Sequence, residues 1–70
     1  MERQSVSSSN LAAVGYDPTT KTLEVEFKGS GAVYQYAAVP QDIYDSFIKA
    51  ESVGRYFQTY IRANYEYKRI

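Results

Sequence analysis

Tyr34-Gln35-Tyr36, followed shortly by Val39-Pro40, constrains this chain more than any other segment. Tyrosines at alternate positions project from one side of a β-strand. A proline just beyond a strand suits a helix start, where its missing N–H and fixed φ cost nothing. The middle of the sequence is therefore a switch from strand to helix. Upstream of it, Thr22-Leu23-Glu24-Val25-Glu26-Phe27 alternates polar and apolar without a break, the pattern of a half-buried strand. A mostly apolar run from Asn10 to Tyr16 predicts an earlier strand. Asp17-Pro18-Thr19-Thr20 and Gly29-Ser30-Gly31 carry turn chemistry between the runs.

Downstream, the period changes to helical. Ile43, Tyr44, Phe47 and Ile48 share one helical face, with Asp42, Asp45 and Lys49 on the other. The segment Ala50–Gly54 interrupts that pattern, and Ser52 is placed to cap a second helix. On that helix Val53, Phe57, Tyr60 and Ile61 form the apolar stripe, and Arg55, Gln58, Thr59 and Arg62 line the polar side. The last residues, Tyr65 to Ile70, read as a ragged end. The predicted architecture is α+β, a three-stranded antiparallel meander followed by two helices packed on one face (β-β-β-α-α). Residues 1–70 form one domain, with 1–7 flexible or docked at a sheet edge.

Size and composition then limit what such a domain can do. Seventy residues supply a core worth roughly 3–5 kcal/mol unless something staples it. The chain has no cysteine and no histidine, so it lacks disulfides, thiolates, the commonest general base and the commonest metal ligand. Eight tyrosines and three phenylalanines are the material left for stability. Ser7, Ser8 and Ser9 have no activating base, and Glu24 and Glu26 on an open strand lack a sheltered pocket. The expectation is a protein without catalysis, cofactor or metal. The opening Met1-Glu2-Arg3-Gln4 lacks the apolar run of a signal peptide, and no stretch is long enough to span a bilayer. A soluble, cytoplasmic protein that does not engage membranes is expected.

Eight bases balance eight acids, yet the last third is basic: Arg55, Arg62, Lys68 and Arg69 outnumber Glu51 and Glu66. Arg55 and Arg62 are two helical turns apart and share a side, and Lys68 and Arg69 extend that surface if the tail folds back. With Tyr56, Tyr65 and Tyr67 interleaved, this is the mixture of cations and rings that nucleic-acid surfaces use. A solvated helix face with a flexible tail is the plain alternative.

Tyr34 and Tyr36 depend on register. An even loop of two or four residues between the second and third strands puts them on the face of Leu23, Val25 and Phe27, under the helices. A three-residue loop, Gly29-Ser30-Gly31, puts Tyr34 opposite Glu26 and Tyr36 opposite Glu24 on the open face, free to stack on bases. Polarity favours the first arrangement, since the second buries Gln35. Turn chemistry favours the second.

The order of Ser8-Ser9-Asn10, Gly15-Tyr16, Leu23-x-Val25-x-Phe27, Tyr34-x-Tyr36, Val39-Pro40, Tyr44, Ser52-x-Gly54-Arg55-Tyr56-Phe57 and Ile61-Arg62 resembles the KTSC domain, from about Ser8 to Tyr67. Domains of that family occur as C-terminal appendages of some lysyl-tRNA synthetases and as small stand-alone proteins of bacteria and phage. The synthetase setting implies RNA binding. Two positions depart from the family pattern: Gln58 stands where an asparagine is expected, and the Gly29-Ser30-Gly31 turn is one residue longer. Together the resemblance and the basic C-terminal third point to a small binding module for tRNA or single-stranded RNA. Arg55, Arg62, Lys68 and Arg69 would then meet phosphates, and Tyr34 and Tyr36 would stack in the exposed register. A protein-binding or homodimerising module is the alternative, because tyrosine-rich neutral surfaces suit interfaces.

Overall fold

The computed structural model describes every residue, Met1–Ile70. Its elements run β1 (Gln4–Ser5), β2 (Leu11–Asp17), β3 (Thr22–Phe27), β4 (Val33–Tyr36), α1 (Gln41–Lys49), α2 (Val53–Tyr56) and β5 (Tyr67–Arg69), with a π-helical turn at Phe57–Ile61 continuing α2. The architecture is α+β, as the sequence indicates. The sheet, however, has five antiparallel strands in the order β1-β2-β3-β4-β5, where three were expected. Both extra strands are edge strands too short to show an alternating pattern. The supposedly ragged end pairs with β4, and Ile70 N–H donates to the Val33 carbonyl at 2.9 Å. Residues Gln4 and Ser5 pair with Val14 and Ala13.

Register settles which face each residue takes. Val25 stands opposite Tyr34, and Leu23 opposite Tyr36. The connection is a four-residue loop: Phe27 N–H donates to the Ala32 carbonyl at 2.9 Å, leaving Lys28 to Gly31 outside the ladder. Gly29 (φ 82°) and Gly31 (φ 70°) both take left-handed conformations, which is why this turn needs two glycines. The even loop sends both tyrosines to the helix side, and Tyr36 is only 3% exposed. The exposed-register arrangement, in which the pair would form an open stacking platform, is not the one adopted.

The helix-side face carries Leu11, Val14, Leu23, Val25 and Tyr36, which meet Val39, Tyr44, Phe47, Val53, Phe57 and Ile61 in one core. A β-bulge between Leu11 and Ala13 turns Leu11 onto that face, opposite Phe27. Tyr16 stacks on Tyr44 with centroids 4.7 Å apart and donates its hydroxyl proton to the Val39 carbonyl, fixing α1 to the sheet. Pro40 is the N-cap of α1, and its carbonyl accepts from Tyr44 N–H at 3.2 Å. Ser52 caps α2 by accepting from Arg55 N–H at 3.2 Å.

In the π turn, Arg62 N–H reaches back five residues to the Phe57 carbonyl at 2.9 Å. The widened turn keeps Phe57 and Ile61 on the core face and rotates Tyr60 outward. Tyr60, placed on the apolar stripe by helical spacing, is therefore 53% exposed.

Candidate functional site

The largest concavity, about 890 Å³, opens between the helix-side face of the sheet and the π turn. Its walls come from the segment leading into β2, the β3–β4 hairpin, the π turn and β5. Five rings line it: Phe27, Tyr34, Tyr36, Phe57 and Tyr67. They close into a circuit. Phe27 meets Tyr34 at 5.5 Å, Tyr34 meets Tyr67 at 5.5 Å, and Tyr67 meets Tyr36 at 5.4 Å. Tyr36 then meets Phe57 at 5.4 Å, and Phe57 returns to Phe27 at 5.6 Å. Tilted and edge-to-face contacts at these separations lock ring orientations.

Arg62 and Lys28 supply charge, and no acidic residue lines the cleft. Arg62 Nη1 donates to the Gln58 side-chain oxygen at 3.0 Å, which holds the guanidinium along the rim with donors to spare. Lys28 Nζ donates to the Ser8 carbonyl. Arg3 is the one base with a carboxylate within salt-bridge distance, so Arg55, Arg62, Lys68 and Arg69 are all free of internal ion pairs. Burial raises the Tyr36 hydroxyl above the ordinary tyrosine value of 10.0, Tyr67 adds to the effect, and the nearby Arg62 charge opposes it.

The residues singled out from sequence divide among three places. Arg62, Tyr34 and Tyr36 meet in the cleft, and Arg69 lies across from Tyr34 on the same sheet face. Arg55 borders a neighbouring hollow with Ser8, Glu51 and Gly54, joined to the cleft through Ser9, Asn10 and Gln58. Lys68 does not extend the cationic helix side. It pairs with Gln35 and so faces the opposite surface of the sheet, because a strand alternates its side chains. Sequence reasoning missed Lys28 and Phe27 as site residues and placed Tyr67 only among the rings interleaved with the basic tail. Lys28 begins the hairpin loop, and it is β5 that brings Tyr67 against Tyr34 and Tyr36. The Gln58-to-Arg62 spacing of four was a usable signal for the brace.

The opposite sheet face is chemically closed. Glu24 is buried, with one carboxylate oxygen accepting from Gln35 Nε2 at 3.0 Å and the other from Arg3 Nη1 at 2.9 Å. Arg3 also lies 3.4 Å from Glu26. These glutamates therefore stand away from the tyrosines, with the sheet between them.

The KTSC domain family profile matches residues 7–65. A crystal structure of a KTSC domain protein from Yersinia pestis superposes with a TM-score of 0.94 at 39% identity, covering 99% of this chain and 96% of that one. A protein of Stutzerimonas stutzeri (strain A1501), described only as uncharacterized, is 45% identical over 100% of this chain and 99% of its own length. A lysine–tRNA ligase of Nostoc sp. (strain PCC 7120) is 37% identical over 89% of this chain, which corresponds to 11% of the ligase. In sequence and in fold alike, this chain belongs to the KTSC domain family.

Proposed function

We propose that this chain is a small non-catalytic module that binds RNA through the cleft and the cationic side of its second helix. One observation carries the reading: Arg62 and Lys28 stand over a floor of aromatic rings in a concavity without a single acidic residue. Cations for phosphates beside π-faces for bases are the two elements that single-stranded nucleic-acid sites combine. Arg55 and Arg69, both exposed and unpaired, lengthen the cationic track on either side. The occurrence of related sequence within lysine–tRNA ligases supports the same direction.

Titration of labelled tRNA at two salt concentrations is the direct test. Binding that weakens as salt rises supports the proposal, with Arg62→Gln reducing the salt slope by about one. Absence of binding at low salt, or binding indifferent to salt, removes it.

A protein-binding reading has its own motive in the outer edge of β5. That edge is unpaired, and its flanking side chains Tyr67 and Ile70 are 59% and 60% exposed. A second copy or another chain could add a strand there. Sedimentation equilibrium distinguishes a self-associating domain from a monomer.

A further inference from the structure

We infer that the cleft takes one unpaired nucleotide of a single RNA strand, its base laid on Tyr67 and its phosphate on Arg62. The inference rests on the RNA-binding reading and goes beyond it by excluding duplex as the preferred form.

Tyr67 is the outermost member of the aromatic circuit. Tyr34 and Tyr36 pack against it, yet 59% of the residue remains exposed, which leaves it reachable at the mouth of the cleft. The ring is held from behind, and little order has to be imposed when something stacks on it. Arg62 is likewise pre-positioned by Gln58, and Lys28 by the Ser8 carbonyl. An aromatic face and a braced guanidinium on the rim of one concavity match the two halves of a nucleotide, a flat base and an anionic phosphate. The side-chain amides of Asn10 and Gln58 border the same space and offer donors and acceptors to a base edge.

Size argues for a single nucleotide. A hollow of about 890 Å³ is in the range of small-ligand sites, on the order of 300–1,000 Å³. It is too confined for a double helix. Pairing also withholds the required surface, because each base in the interior of a duplex is already stacked on both faces. Along the length of a strand, an unpaired nucleotide is the one that presents a free π-face to Tyr67.

The test compares short oligoadenylate with the duplex it forms with oligouridylate, at low salt, using this chain, Tyr67→Ala, Tyr67→Phe and Arg62→Gln. The chain has no tryptophan, so quenching of tyrosine fluorescence reports stacking without a label. The single strand is expected to bind at least about tenfold more tightly than the duplex. Tyr67→Ala should weaken single-strand binding by about 5- to 150-fold, as loss of one base-stacking ring does elsewhere, while Tyr67→Phe keeps it. The unmutated protein should show ring-current shifts at the Tyr67 ring protons on adding the single strand. Equal affinity for duplex, or unchanged single-strand affinity in Tyr67→Ala, overturns the nucleotide cleft and leaves the phosphate-binding surface standing. Failure of both RNAs to bind overturns the two readings together.

Discussion

Arg3 reaches Glu24 by laying its side chain over Gly15, closing a 2.9 Å ion pair on the sheet face remote from the cleft. The row continues through Gln35 to Lys68, so four strands, β2 to β5, and the residue just before β1 contribute to one transverse band of small and polar residues. Gly15 makes the crossing feasible. A Cβ there would lie 2.4 Å from the Glu2 carbonyl oxygen and 3.2 Å from Arg3 Cγ, and the first of these contacts is with backbone that cannot simply swing away.

Removing the pair should destabilise the fold without altering the cleft. Arg3→Ala leaves a buried carboxylate with Gln35 as its remaining partner, a loss of about 1–3 kcal/mol. Gly15→Ala should match or exceed it, since the added methyl displaces the Glu2 backbone leading into β1 and the arginine together. Urea denaturation of both variants checks this, and wild-type midpoints would contradict the role given to the band.

Alkaline pH should weaken the fold through its enclosed tyrosines. Burial is the chief cause that raises Tyr36, Tyr16 and Tyr44 above 10.0, with Asp45 adding to the effect at Tyr16 and Tyr44. In the unfolded chain these hydroxyls ionise from their ordinary value onward, whereas in the fold they keep their protons to higher pH. The unfolded state therefore binds fewer protons above pH 10.0, and stability falls as pH rises from there through the folded values. Below pH 10.0 the contribution of these groups is constant. Thermal melts across that range should show a steady decline, flattened by Tyr36→Phe; an equally steep decline in the variant would contradict the assignment.

Ala38 offers a stabilising substitution. Its φ of 57° places a non-glycine residue in the left-handed region, at an exposed position with no side-chain packing to lose. That conformation costs about 1–2 kcal/mol for an L-residue. Glycine removes the strain and returns about 0.5–1 kcal/mol through greater freedom in the unfolded chain. Ala38→Gly should thus gain about 0.5–1 kcal/mol and raise Tm by a few degrees in calorimetry. A lower Tm would show that the backbone there is not strained.

Much of the fold was legible because its long elements follow strict periods. The alternation through Thr22–Phe27 defines β3, and Val39-Pro40 marks the passage into α1. What escaped has physical reasons. β1 and β5 are two and three residues long, and such strands exist only because a longer neighbour offers its free edge. Tyr60 was misassigned because a π turn breaks the helical spacing on which stripes are drawn. Whether Tyr34 and Tyr36 faced inward turned on a single residue of loop length, since Gly29 and Gly31 suit loops of either parity.

The candidate site was half legible for the same reason. Arg62 stood out by its charge and its spacing from Arg55. Tyr67 became a wall of the cleft only through β5, which folds the chain's last residues against Tyr34 and Tyr36. Lys68, one residue further, was sent to the other face by the same strand geometry.

Amide and side-chain shift mapping by NMR, during titration with single-stranded RNA at low salt, shows directly whether the cleft is where RNA binds. Binding in the cleft should concentrate perturbations at Lys28 and the hairpin loop, at Gln58 to Ala63, and at Tyr67, with Glu24, Gln35 and the outer face of α1 unmoved. Shifts gathered on the Arg3–Glu24 face or on α1, with the cleft silent, would contradict it.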